Sequence, residues 1–300
     1  MDIRNRKTVI LIWLFNLVVG LVVLPLLISP RSIVAWWVLV AKGLLLLAIA
    51  IVAAATIHWA TGYILLRLSW RALRRADYDQ ALLLMHRMKA LAKHEFHSAI
   101  LIMAGRPDEA GEIIGKLASE ACAPMVRARR LTILAEVLMD QGHWAQAKEM
   151  LEEAIRSDIG IGNPCSALAE WYLLQGIEPQ LALDRVEHAN AARSFAALKS
   201  SVRNGILAPR FATKALALAR LGRHREAESA IEEAFRTADA KHVPGMAFLH
   251  WYAGLAFAAM GQLGQARDHF QEAAAIDKQG KYGKLAVHRL KDDERNSTAS

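Results

Sequence analysis

Eleven histidines, two cysteines and 29 acidic residues are the side chains of this 300-residue chain that could bind a metal or move a proton. A metal needs three or four ligands brought together, and a helix offers pairs only at three- or four-residue spacing. His94 and His97 have that spacing, but Glu95 between them points elsewhere and no second close pair completes a set. Cys122 and Cys165 lie inside helical patterns with no C-x-x-C spacing. They read as small buried hydrophobes in a reducing compartment, not as a zinc site or a disulfide. There is no glycine-rich phosphate loop, nucleophile elbow or H-E-x-x-H run. Acidic residues such as Glu149, Glu152 and Glu153 fall on faces that merely solvate a helix. No catalytic residue, metal or cofactor is expected, and the chain reads as a non-enzyme.

The net charge of +8 raises nucleic acid as a partner. The basic residues form no long soluble stripe, and no aromatic residues interleave with them to stack bases. The densest group is Arg67, Arg71, Arg74 and Arg75, directly after a long apolar run. Nucleic-acid binding is therefore not expected. A juxtamembrane role is, because such clusters hold a segment on the cytoplasmic side and attract anionic lipid.

The elements that would carry a binding surface are helices in a ladder. Small residues recur at fixed offsets in Leu131, Leu134, Ala135, Leu138, Gly142, Ala147, Leu151 and Ala154. The series returns as Phe211, Ala215, Leu218, Gly222, Ala227, Ile231 and Ala234. It returns again as His250, Gly254, Phe257, Gly261, Ala266, Phe270 and Ala273. Small residues let two helices cross closely, large apolar ones fill the gaps, and each glycine supplies a left-handed stop. Weaker copies run from Ser98 to Leu117 and from Leu168 to Ala189, the latter with one extra residue after Gly176. A degenerate first copy uses Leu65, Leu68, Ser69, Ala72, Tyr78, Ala81 and Met85. Ser200, Ser201, Asn204, Gly205 and Pro209 suggest a loop across 190–210.

This spacing resembles the tetratricopeptide repeat family over roughly residues 62–280. The resemblance implies an α-solenoid of about six helix–turn–helix units whose first helices line a concave groove for protein partners. Carried over position by position, the groove residues are Arg129, Thr132, Glu136 and Asp140, then Glu170, then Thr213 and Arg220, then Phe248 and Trp251. Trp251 is the expected anchor, although it could equally pack under the C-terminal cap. The clustered lysines and asparagines with which some members clamp a carboxylate are missing.

Two apolar runs precede the ladder, and each is long enough to cross a bilayer core of about 30 Å. They predict a membrane hairpin over residues 1–62, with spans at 8–28 and 34–60. Trp36 and Trp37 would sit at the interface, and Arg67, Arg71, Arg74 and Arg75 at the cytoplasmic edge. Basic residues at both ends of the hairpin place both termini in the cytoplasm of a bacterial inner membrane. Helical pattern without proline continues through 58–76, so the second span is expected to run on into the first repeat. The whole plan resembles HemY-type and PelE-type inner-membrane proteins.

The resulting expectation is an all-α chain. An anchor at 1–62 leads to repeats at 63–280, then a short capping helix and a disordered tail at 281–300. It would bind protein partners beside the membrane as a scaffold. The alternative is an integral subunit of a transport or polysaccharide-secretion complex whose spans touch partner helices.

Overall fold

A computed structural model describes residues 30–87, 93–157, 163–191 and 200–299. The chain divides into two compact units, 1–63 and 64–300. Among the described residues there are thirteen helices and no strand. Helix α1 spans Pro30–Arg74 and α2 Tyr78–Arg87. They are followed by α3 (Lys93–Met103) and α4 (Pro107–Ala118). Next come α5 (Pro124–Asp140), α6 (Trp144–Ser157), α7 (Asn163–Leu174) and α8 (Pro179–Ala191). The last five are α9 (Ser200–Arg220), α10 (His224–Thr237), α11 (Val243–Ala259), α12 (Leu263–Ile276) and α13 (Lys281–Ala299).

Within the second unit the helices pair as a tetratricopeptide-like solenoid, each antiparallel pair joined by a tight turn. The turns are dictated by glycine. Gly105, Gly142, Gly176, Gly222 and Gly261 have φ between 68° and 79°, a left-handed region that other residues enter at a cost. At each, the amides after the helix fold back onto its last carbonyls. After α5, Gly142 N–H donates to Met139 O at 3.1 Å and His143 N–H to Leu138 O at 2.8 Å. Ala76 takes the same position after α1, with φ 56° and the same pair of bonds. The extra residue after Gly176 is absorbed by Glu178, whose φ of 46° is also positive.

Pairs close where one helix offers almost no side chain. A Cβ added at Gly254 of α11 would meet the Phe270 ring of α12 at 2.5 Å, so only glycine fits this crossing. Two clusters make up the core. The larger runs from α5 to α13, and the smaller joins the end of α1 to α2, α3, α4 and Val137 of α5.

The structure corrects two expectations. Residues 200–220 form α9, with Pro209 inside it, where the sequence suggested the end of a loop. The proline removes one donor, but Gly205 lies one turn earlier with no side chain to crowd the ring, and Thr213 Oγ1 donates to Pro209 O at 3.0 Å. Residues 192–199 of that expected loop lie outside the described residues.

The second correction concerns the anchor. Among the described residues no helix is long and apolar enough to cross a membrane. The expected two-span hairpin is overturned, as are the multi-pass inner-membrane topology, lipid as a partner and the alternative secretion-complex role, and nothing supports the HemY-type and PelE-type likeness. The expected span at 8–28 lies outside the described residues, and the one at 34–60 falls in α1. Lys42 falls within that stretch of α1, and a charged side chain is costly within an apolar span. Its last turns serve the solenoid, where Ser69, Ala72 and Leu73 are buried. The interfacial roles given to Trp36, Trp37 and the arginine group go with the hairpin. Arg74 instead pairs with Asp239 at 2.5 Å, and Arg71 and Arg75 are exposed. The helix is continuous from residue 58 to 74, and Ile49, Ile51, Val52 and Ile64 on it are each at least 55% exposed.

Candidate functional site: the inner face of the solenoid

In a stack of helix pairs the first helix of each pair faces inward. Here α3 packs on α5, α5 on α7, α7 on α9, α9 on α11, and α11 on α13, so these helices form one continuous inner layer. Helix α13 also reaches α3, which closes the layer on itself. Lys284 Nζ of α13 donates to Ala104 O at 2.9 Å. Tyr78 Oη donates to Asp277 Oδ2 at 2.5 Å, and Trp70 stacks on His242 with ring centres 5.5 Å apart. First and last repeats therefore touch.

Helix α5 sets one face toward this interior, because Arg129, Thr132, Glu136 and Asp140 recur at helical spacing. A cavity of about 450 Å³ opens between α5, α7 and α9. Arg129, Thr132 and Glu136 line it from α5, Asn163, Ser166 and Glu170 from α7, and Gly205, Ile206, Pro209 and Arg210 from α9. Of the residues expected from sequence, the cavity thus gathers Arg129, Thr132, Glu136 and Glu170.

The others lie elsewhere. Asp140 pairs with Lys281 Nζ of α13 at 2.5 Å. Arg220, at the end of α9, donates to the Leu173 carbonyl of α7. Thr213 is fully buried in α9. Phe248 is buried too, stacked on Tyr252 with Tyr282 edge-on at 4.9 Å. Trp251 is 9% exposed, its ring 5.2 Å from Phe270, so it packs within its own helix pair.

The interior is acidic where it is deepest. Burial pushes the Glu136 carboxyl up to about 7, although the charge of Lys281 opposes the shift. Glu170 is likewise pushed up to about 7, first by burial and then by the nearby charge of Glu136. Tyr252 Oη donates to Glu170 Oε2 at 3.3 Å. Burial and the Glu170 charge together hold the Tyr252 and Tyr282 phenols well above their ordinary range. Near neutral pH these two carboxyls are therefore poised between charged and neutral.

Two buried charged residues, one in the wall and one behind it, escaped the sequence reading. Arg210 is 1% exposed, and its guanidinium donates to Ala189 O at 2.7 Å and to Asn163 Oδ1 at 3.1 Å. It fastens α9 to both helices of the preceding pair. Glu95, 6% exposed, accepts from Arg130 Nε at 2.9 Å and also pairs with Arg129. A buried arginine and glutamate on helical faces carry no local signal, because their partners come from other pairs.

Among the described residues no group of three or more His, Cys, Asp or Glu side chains could hold a metal ion. His250 and His269 meet, Nδ1 to Nδ1 at 3.0 Å, in a cage with Phe235 and Phe257. The chain carries no catalytic motif.

The chain matches no protein-family model, and no curated protein matches it. Among solved structures it is similar to the anaphase-promoting complex hetero-tetramer Cut9–Hcn1. That likeness has 15% identity, covers 73% of this chain and 41% of that one, and has a TM-score of 0.50. It establishes the fold alone. MamA matches at 21% identity over 58% of this chain and 90% of its own, with a TM-score of 0.36. YrrB, described as a TPR protein with an unusual peptide-binding site, matches at 17% identity over 71% and 97%, with a TM-score of 0.34. These last two superpose too loosely to support an argument.

Proposed function

We propose that this chain is a tetratricopeptide-like interaction scaffold that holds an extended segment of a protein partner on its inner face. The observation that carries this reading is the cavity of about 450 Å³ between α5, α7 and α9. Its size lies within the range of ligand pockets, about 300–1,000 Å³. Polar side chains from α5, α7 and α9 converge on it against apolar walls of Ala128, Ile133, Ala167 and Ile206. A rigid helical scaffold lets several weak contacts act together on a segment it does not have to order itself.

The test is position-specific photocrosslinking. A crosslinkable amino acid at Ser166, inside the cavity, should capture a defined partner. The same group at Glu152, on an exposed outer face, should not. Equal capture at both positions, or capture only at Glu152, would refute the inner-face reading.

A further inference from the structure

The cations around the cavity are already engaged. Arg129 pairs with Glu95, Lys281 with Asp140, and Arg220 donates to a carbonyl. Arg210 is turned into Ala189 O and Asn163 Oδ1. Glu136 and Glu170 are not matched in this way. Among the described residues neither has a salt bridge, and the one hydrogen bond to either comes from Tyr252. Glu136 and Glu170 are therefore the carboxyls of the cavity lining that no cation pairs with among the described residues. The chain also shows what chemistry this face holds, since Lys281 lies with its ammonium on Asp140 and 5.4 Å from the Tyr282 ring centre.

Taking as given that the inner face binds an extended segment, we propose that the cavity receives an arginine side chain of that segment, with Glu136 and Glu170 accepting from its guanidinium. A guanidinium suits this place better than an ammonium. It is planar, more weakly hydrated, and can span two carboxylates with its fork of donors. Its apolar stem would lie along Ala128, Ala167 and Ile206. Binding such a cation favours the charged form of both carboxyls, so it releases protons wherever they are partly protonated. The groups facing this event are Arg129, Glu136 and Asp140 of α5, Glu170 of α7, Arg210 and Arg220 of α9, Tyr252 of α11, and Lys281 and Tyr282 of α13. Burial pushes the Glu136 and Glu170 carboxyls up to about 7.

The experiment titrates the full chain with three short peptides of glycine, alanine and serine. They differ only in a central arginine, citrulline or glutamate. The arginine peptide should bind at least about tenfold tighter than the citrulline peptide at pH 8. That preference should vanish in the variant carrying both Glu136→Gln and Glu170→Gln, with its thermal melt as the folding control. Arginine-peptide affinity should also rise from pH 6 to pH 8, with protons released in calorimetry across buffers of different ionisation enthalpy. Equal binding of the arginine and citrulline peptides, tighter binding of the glutamate peptide, or no binding of any of them overturns the arginine pocket. Crosslinking at Ser166 reads the segment-binding proposal independently, so the two can fail separately.

Discussion

Tyr78 and Asp277 stand 199 residues apart in the chain, yet the Tyr78 hydroxyl donates to the Asp277 carboxylate at 2.5 Å. Both are almost completely buried, at 3% and 2% exposure. This bond is the centre of the contact between the first and last repeats. The other Asp277 oxygen accepts from Gly280 N–H at 2.9 Å, so the carboxylate is fully engaged.

Removing the phenol strands that carboxylate. Tyr78→Phe should destabilise the chain by about 1.5–3 kcal/mol, as expected for a buried bond to a charged acceptor. Asp277→Asn should cost a similar amount, and the double variant less than the sum, because the two residues share one interaction. Urea denaturation of the three variants measures the coupling. Strict additivity would mean that the bond contributes nothing.

Gly280 allows the clasp to form. A Cβ there would overlap the Asp277 carboxylate and the Tyr78 hydroxyl. Gly280→Ala should cost about 1–3 kcal/mol through overpacking. Gly115, in α4, has nothing within 4 Å of the same added atom. Gly115→Ala should stabilise by about 0.5–1 kcal/mol through helix propensity. Thermal melts should move in opposite directions.

Glu136 and Glu170 should make stability depend on pH with a definite sign. Their folded carboxyls lie near 7, above the ordinary 4.5, so the folded state binds more protons than the unfolded state between those values. The stability they contribute is present below about 4.5 and is lost as pH rises through 7. Glu136→Gln or Glu170→Gln should therefore stabilise the chain at pH 8 by about 1–2 kcal/mol, an advantage that shrinks toward pH 5. Denaturation midpoints at the two pH values provide the check.

The histidine pair has the opposite sign. Burial pushes His250 down to about 4 and lowers His269 as well. At 3.0 Å one Nδ1 must donate to the other, which two protonated rings cannot do. Stability from this pair is full above about 6.5 and falls as pH drops toward 4. Replacing both by leucine should remove the rise in stability between about pH 4 and 6.5, while the fall between about 4.5 and 7 set by Glu136 and Glu170 remains.

Arg210 joins three helices through one guanidinium. Arg210→Lys should lose about 2–3 kcal/mol despite keeping the charge, because an ammonium cannot reach Ala189 O and Asn163 Oδ1 together. Differential scanning calorimetry would show the loss. A wild-type melting temperature would mean that charge alone is sufficient there.

What was legible in the sequence was what neighbouring residues decide. Gly142, Gly222 and Gly261 announced left-handed stops because few other residues adopt that conformation, and the extra residue after Gly176 marked an unusual turn. Ala76 gave no such signal, since alanine is seldom left-handed and is held so by bonds after α1. On α5 and α7 the positions carried over from the repeat family bring Arg129, Thr132, Glu136 and Glu170 to one cavity. On α9 and α11 the same positions are covered: Thr213 is fully buried, Phe248 meets Tyr282 of α13, and Trp251 meets Phe270 of α12. The apolar runs suggested membrane spans from composition alone. The end of α1 was legible as repeat, because Ser69 and Ala72 of the degenerate first copy are indeed buried. The clasp had no local signature, since Tyr78 and Asp277 are ordinary residues until the chain brings them together.

A linear array of repeats unravels from its two ends, where each terminal pair has a neighbour on one side only. The contact of α13 with α3, and of Tyr78 with Asp277, removes that asymmetry within residues 64–300. Terminal pairs should then exchange their amide hydrogens nearly as slowly as central ones. Closure also joins residues far apart in sequence, so folding should be slower than in an open stack of the same length. Cutting the clasp with Tyr78→Phe should restore fraying at both termini at once, before any central pair loosens.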